Sequence, residues 1–392
     1  MCIRDRIIEK DDCCGCGACA WACPRHCIKM VADAEGFLYP DINQDDCIDC
    51  HICQKTCPGR HADEIRHGGN GQEIIAATNQ DPALLNKSSS GGVFLELCTY
   101  VIAQGGMVAG AIYDDEMTIR HVLRERMEDC LAFAGSKYAQ SSLGDIFSEI
   151  KETLKTGRLV LFSGTPCQIA GLRRYLKKSH PNLLTCDLVC HGVASPLAFE
   201  GYVKWLEGYQ KKRIASICMK DKTHGWLNPQ IRVEFSNGKE LNGSDETQVW
   251  QRAYNSALYM RPSCYRCPYT SFQRTGDISL GDFWAVQNIK PDIFNPNGVS
   301  LVLLNTEMGR EVFSHIKGNF KTEPLSEKEA IQSSLSVPVK MPEGRSSVMN
   351  SLSSKGFMSH ARSFRSSRAT RYRTRLGRFI RMVASKLNSR NQ

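Results

Sequence analysis

A twelve-residue pattern occurs twice in this chain, 34 positions apart, at Cys13–Pro24 and Cys47–Pro58. The first copy places cysteines at Cys13, Cys16, Cys19 and Cys23 before Pro24; the second places them at Cys47, Cys50, Cys53 and Cys57 before Pro58. Two copies are too few for a solenoid. Three closely stepped thiolates wrap one face of an iron–sulfur cubane, and the fourth ligand must arrive from elsewhere. In this spacing the cysteine before proline serves the other cluster. The pattern therefore predicts two 4Fe–4S clusters, one on Cys13, Cys16, Cys19 and Cys57, the other on Cys47, Cys50, Cys53 and Cys23.

The competing reading is a pair of four-cysteine zinc sites. Zinc favours two Cys-x-x-Cys knuckles joined by a long spacer and has no need of three even steps plus Cys-Pro, given twice. Gly15 and Gly17 allow the tight backbone that turns N–H groups toward sulfur. Ile28–Val31 and Gly36–Tyr39 read as a small hairpin between the copies. Cys14 and Cys27 fall outside the pattern and are read as spare. The whole resembles a bacterial two-cluster ferredoxin module.

The chain holds 19 cysteines, and its charged start Met1–Lys10 does not read as an apolar leader. The expectation is a reducing, cytoplasmic setting in which spaced thiols serve metals rather than disulfides. No stretch approaches the roughly 20 apolar residues of a membrane span. The net charge of +9 belongs to one end. Residues 344–392 hold 12 Lys and Arg and no acidic residue, which leaves 38 basic against 41 acidic residues before them.

With 392 residues, two or three domains are expected. Residues 1–10 read as a disordered or extraneous start and residues 11–66 as a small α+β ferredoxin-type domain. Residues 72–320 alternate strand-like and helix-like runs and read as an α/β domain, a mixed sheet flanked by helices. Strands are expected at Ile74–Thr78, Met107–Ile112, Leu159–Ser163, Leu183–Val189, Ile214–Met219, Ile231–Phe235 and Ser300–Leu304. Leu143, Ile146, Phe147, Ile150 and Leu154 keep helical spacing, as do Phe199, Tyr202, Val203 and Leu206. Residues 321–343 read as a C-terminal extension. In the basic tail, 344–392, Leu376, Phe379, Ile380, Val383 and Leu387 suggest an amphipathic helix. Such a helix suits peripheral contact with the inner membrane face, an acidic partner or a solvated extension. Nucleic acid is not expected, since the body has neither basic balance nor a binding motif.

Further runs carry a family resemblance: Gly135–Lys151, Val160–Arg173, Asp187–Phe199, Cys264–Tyr269 and Arg274–Trp284. Together they resemble the coenzyme F420 hydrogenase/dehydrogenase beta-subunit family, in a form with an N-terminal ferredoxin module. The resemblance implies an FAD- and iron–sulfur-containing oxidoreductase domain over about 72–320. It also implies a third 4Fe–4S cluster, for which Cys167, Cys190, Cys264 and Cys267 are the expected ligands. Cys186 competes with Cys190, and a zinc site on Cys264 and Cys267 stays open. Cys98, Cys130 and Cys218 read as core thiols.

For the implied FAD, Ser89, Ser90, Gly91 and Gly92 lead into the apolar helix Val93–Ala103, where free N–H groups suit a diphosphate. Gly164, Thr165 and Pro166 form a second turn ahead of a helix, and Lys137 is a candidate for the phosphate or the ring. Without the resemblance, such turns read as ordinary caps. No GxGxxG fingerprint is present. The expected function is electron passage between the N-terminal clusters and FAD, then as hydride to or from coenzyme F420 or another organic substrate. The alternative is an electron-transfer subunit of a larger redox complex with no substrate of its own. Either needs a redox partner protein or small carrier, and the sequence names no catalytic residue. His191 and the polar segment Lys220–Trp226 are candidates for proton transfer and a lid.

Overall fold

The computed structural model describes residues 7–67 and 71–366. In the cysteine-rich segment each copy of the pattern contains a short helix, α1 (Ala18–Ala22) and α2 (Ile52–Thr56). Helices this short do not persist alone in water, so their stability comes from packing and from what their thiols hold. Between them β1 (Ile28–Ala32) and β2 (Leu38–Ile42) form the expected hairpin, with Ile28 opposite Ile42 and Ala32 opposite Leu38. The Asp33 carboxylate closes its turn by accepting the N–H groups of Glu35 and Phe37.

The main body is a mixed eight-stranded sheet. Its first strands are β3 (Glu73–Asn79), β4 (Met107–Tyr113), β5 (Ile119–Arg124), β6 (Val160–Gly164) and β7 (Leu183–Leu188). A separate three-stranded antiparallel sheet follows, built of β8 (Ile214–Asp221), β9 (Gln230–Phe235) and β10 (Glu240–Asn242). The chain then returns to the main sheet with β11 (Ile278–Asp282), β12 (Ser300–Leu304) and β13 (Phe320–Pro324). Spatially the large sheet runs β13-β3-β12-β11-β7-β6-β4-β5. Neighbours among its middle strands β11, β7, β6 and β4 are parallel, and the remaining pairs are antiparallel.

Of those middle strands β4, β6 and β7 read as nearly continuous apolar runs because helices cover both of their faces. On one face α3 (Val93–Ala103) meets Leu161, Leu184 and Val302. On the other, α4 (Ile146–Lys155) and α5 (Pro166–Leu176) press Ile146, Phe147 and Ile169 against Val160 and Phe162. Three of the strands absent from the sequence expectation have identifiable causes. Gly281 and Asp282 make β11 read as a turn, Pro324 does the same for β13, and β5 carries three basic residues among its six.

The small sheet packs under α6 (Pro196–Gln210) and α7 (Gln248–Asn255). Trp250 and Tyr202 meet there at 5.6 Å between ring centroids, with Phe357 edge-on to Tyr202 at 6.2 Å. Phe357 follows helix α8 (Arg345–Lys355), so composition misleads about where the body ends. Residues 345–361 pack into this core, and β13 within the 321–343 stretch pairs with β3. The Arg345 guanidinium makes a two-pronged bridge to Glu35 of the hairpin at 2.6 and 3.0 Å, and also donates to the Met260 carbonyl. Helix α8 thus clasps the N-terminal module to the body. The residues of the expected amphipathic helix lie outside the described residues. Among the described residues no helix is long and apolar enough to cross a membrane.

Candidate electron-transfer centres and cofactor cavity

Chain crossing decides the thiol groupings in the module. Cys19 lies within electrostatic reach of Cys13 and Cys57, and more weakly of Cys53; Cys16 lies within reach of Cys19 and Cys57, and Cys57 within reach of Cys13. The last cysteine of the second copy therefore stands among the first three of the first. Reciprocally, Cys53 faces Cys50 and Cys23. A pocket in the module is lined by Cys23, Cys27, Cys47, Cys50 and Cys53. Burial pushes the Cys57 thiol up, against the N–H groups of Gly59 and Arg60. Burial does the same at Cys53, opposed by the N–H of Gln54. Burial also raises Cys23, yet the N–H groups of Cys27, Arg25 and His26 outweigh it and hold this thiol below its usual range. Buried thiols ringed by backbone donors are suited to thiolates that a cationic metal core neutralises.

A third thiol set forms where the parallel strands end. Cys167 sits in the first turn of α5, directly after β6; Cys190 follows β7; Cys264 and Cys267 flank the end of the 3-10 turn Pro262–Arg266. Cys190 is within electrostatic reach of the other three. The Val193 N–H points at Cys264 Sγ at 3.5 Å. Cys186 points elsewhere, fully buried in the sheet core with Cys98 and Leu184. Among the described residues no three His, Cys, Asp or Glu groups are arranged to hold a single metal ion.

The two cysteines read as spare both touch these sets. Cys27 Sγ is 3.4 Å from Cys23 Sγ. Cys14 interacts through its thiol with Cys16 on one side and Cys167 on the other, joining the first set to the third. The two sets approach because α5 presents Gly171 to the module. A Cβ there would stand 2.9 Å from both Cβ and Sγ of Cys16. Spacing within one segment carries no signal of such a contact.

Beside the third set opens a cavity of about 700 Å³. That volume lies within the range of sites that enclose drug-sized ligands. Ser89, Ser90, Gly92, Lys137, Gly164 and Thr165 line it, as does Cys190. Gly91 and Pro166 lie behind the wall. The Gly91 N–H donates to Ser300 Oγ at 2.9 Å, and the Pro166 carbonyl accepts from Thr275. The two expected anion turns differ in what they leave free. Helix α3 is entered through Gly92, in a left-handed conformation with φ of 90°, and no side chain caps it. Helix α5 starts with a closed capping box in which the Thr165 N–H already donates to Gln168 Oε1.

Lys137 Nζ lies among the carbonyls of Ala132, Phe133, Ala134 and Gly135 at 3.1–3.3 Å, and burial lowers it to about 8. His121, on the same wall, is lowered to about 4 by burial and is therefore neutral; its Nε2 faces the Ser163 carbonyl at 3.1 Å. Of the aromatic and ionic groups at the rim, sequence reasoning singled out only His191 and those of the Lys220–Trp226 segment. Trp284 is 46% exposed and lies flat on Trp226 at 5.3 Å with 5° between planes. Lys220 stands 4.9 Å over the Trp284 ring and pairs with Asp282 at 2.5 Å. Tyr138 and Tyr254 pack at 4.5 Å, and Tyr254 Oη donates to the Gly192 carbonyl beside the third set. His191 borders the cavity 5.9 Å from the Tyr254 ring. The segment Lys220–Trp226 is anchored rather than loose, since Lys222 donates to the carbonyls of Leu85 and Asn297 and Trp226 is buried. An exposed tryptophan just past a strand end was the available signal for Trp284.

Comparison with known proteins yields two family matches. Residues 12–60 match a 4Fe-4S dicluster domain, and residues 157–328 match the C terminus of the beta subunit of coenzyme F420 hydrogenase/dehydrogenase. No curated protein matches. Among solved structures, a chain of the F420-reducing [NiFe] hydrogenase complex from Methanosarcina barkeri aligns with a TM-score of 0.45 and 18% identity, over 75% of this chain and 89% of that one.

Proposed function

We propose that this chain, which joins a 4Fe-4S dicluster domain to the C-terminal domain of the coenzyme F420 hydrogenase/dehydrogenase beta-subunit family, exchanges single electrons for hydride within its own body. In this reading Cys13, Cys16, Cys19 and Cys57 hold one 4Fe–4S cluster and Cys47, Cys50, Cys53 and Cys23 a second. Cys167, Cys190, Cys264 and Cys267 hold a third, and the large cavity binds FAD. The observation that carries it is Cys190, which belongs to the third thiol set and to the cavity wall at once. An electron reaching that set is already beside the cavity.

A bound flavin supplies the conversion between single electrons and a hydride. The chain's own residues do the rest. The uncapped start of α3 offers N–H groups and a positive dipole end to the diphosphate. Lys137 adds a positive charge on the same wall. Trp284, held flat by Trp226, gives a planar substrate a surface at the rim, with Lys220 and Asp282 beside it. Two electrons arriving singly and one proton from solvent or His191 balance each hydride delivered. Coenzyme F420 or another organic acceptor takes it, and a redox partner protein or small carrier supplies electrons on the Cys50 side. Hydride donation by the substrate runs the same balance in reverse.

The test is anaerobic purification with iron, acid-labile sulfide and flavin analysis, then an F420 reduction assay. The expected content is about 12 iron and 12 sulfide with one FAD, falling by about 4 iron in Cys264→Ser. Failure to retain flavin after reconstitution, or unchanged iron in Cys264→Ser, overturns the reading. Flavin reduction that reaches no acceptor until a partner subunit is added points instead to an electron-transfer subunit.

A further inference from the structure

We propose that Arg261 sets the order of the cluster potentials, its buried positive charge holding the first and third clusters at higher potential than the second. The inference rests on the cluster assignment above. Arg261 is fully buried, and its hydrogen bonds all go to neutral oxygens. Nε donates to the Cys13 carbonyl at 2.6 Å, Nη1 to Gln140 Oε1 at 2.9 Å and Nη2 to the Leu38 carbonyl at 2.9 Å. No carboxylate among the described residues pairs with it within 4.0 Å. The rings of Tyr39 and Phe37 lie 4.3 and 5.3 Å from the guanidinium carbon. A guanidinium keeps its proton under all ordinary conditions, so this is a permanent charge in a low-dielectric place.

Its position is specific to two of the three sets. The side chain rests on the Cys13–Cys16 loop, where a Cβ on Gly15 would stand 2.6 Å from Nη1. The left-handed φ of 70° at Gly15 gives a second reason for glycine there. The backbone of Arg261 starts the turn that carries Cys264, whose N–H donates to the Arg261 carbonyl. Nearby cations are discharged or screened by comparison. Arg274, near Cys267, is paired to Asp187 at 2.7 Å, and Arg60, near Cys57, is exposed. No hydrogen bond or close contact among the described residues ties Arg261 to the second set, in which Cys50 is exposed and Cys47 and Cys53 are half-buried.

Adding an electron to a cluster adds negative charge, and a nearby buried cation stabilises that state. Clusters one and three should therefore accept electrons that cluster two releases. The path then runs inward from Cys50, through the first set, across the Cys16–Cys14–Cys167 contact and on to the cavity. A plain docking role for Arg261 predicts otherwise, because any substitution would then act alike.

The experiment is an EPR-monitored redox titration of the anaerobically purified, cluster-loaded full chain. Arg261→Met is expected to make reduction of the first and third clusters at least tenfold less favourable, a fall of 59 mV for a one-electron couple. The second cluster should not move. Arg261→Lys, which keeps the charge and loses the fork, should stay near the native potentials. Gln140→Glu sets a carboxylate against Nη1 with the arginine still in place, and should lower the same two clusters even if the methionine variant does not fold. Equal shifts in the lysine and methionine variants, unmoved potentials in Gln140→Glu, or a matching shift of the second cluster would overturn the proposal. A native protein lacking a third cluster signal would overturn the assignment of that cluster instead, while the first cluster still reports on Arg261.

Discussion

The two copies of the cysteine pattern are the same in spacing and opposite in surroundings. In the first copy Cys16 and Cys19 are buried, α5 lies against Cys16 through Gly171, and a body arginine reaches the Cys13 carbonyl. In the second copy Cys50 is exposed and Cys47 and Cys53 are half-buried, with Ile48 beside them 60% exposed. Most thiols of the first copy are covered by the body, and most thiols of the second stand nearer solvent. Identical local chemistry takes on different roles according to which copy the larger domain covers.

The largest effect expected from breaking this difference comes from the thiols themselves. Cys19→Ser and Cys50→Ser should each lose about 4 iron. Cys19→Ser should also lower the thermal midpoint of the whole chain markedly, because the buried cluster joins the module to the body and metal binding there is folding free energy. Anaerobic calorimetry beside iron analysis reads both, and equal midpoints in the two variants would erase the distinction.

Next in size is the clasp. Arg345→Ala removes a nearly buried guanidinium from Glu35 and the Met260 carbonyl. Breaking a buried pair costs about 3–5 kcal/mol, and the partial exposure of Glu35 reduces this to about 2–3 kcal/mol. Denaturant unfolding should show that loss, with faster proteolytic release of the module.

A smaller effect is expected at the close approach. Gly171→Ala overpacks the Cys16 contact and should cost about 1–3 kcal/mol. It should also weaken magnetic coupling between the first and third clusters while leaving the second cluster's EPR signal alone. A stability loss without that spectral change would mean the two sets are not neighbours.

The smallest effect sits at the far end of the buried path. Burial depresses Lys137 to about 8, so its charge is present below that pH and is lost as pH rises through it. FAD affinity should therefore be flat below pH 8 and fall by up to about tenfold per pH unit above it. Lys137→Met should bind more weakly and flatten this profile in equilibrium titrations.

Period and composition made much of this legible. The helix over Val93–Ala103 and the strand over Ser300–Leu304 lie where apolar runs and glycine turns put them. The crossed grouping of Cys23 and Cys57 is what the spacing leads one to expect, and the structure places Cys57 near the first three cysteines. Less visible were elements whose residues answer to distant partners. β11 looks like a turn until β7 and β12 flank it, and α8 looks like a solvated tail until Arg345 finds Glu35 across 310 residues. Cys14 looks spare until Cys167 arrives beside it.

By itself the sequence pointed to the iron–sulfur chemistry of the module, because three evenly stepped thiols, given twice with an exchanged Cys-Pro cysteine, suit a pair of cubanes. It also determined the α/β character of the body, because apolar periodicity selects strands and helices before any tertiary contact forms. Only the tertiary structure decided which thiol set is buried, where the cavity opens and which arginine stays uncompensated. Those properties depend on distances between segments hundreds of residues apart, and only packing sets such distances.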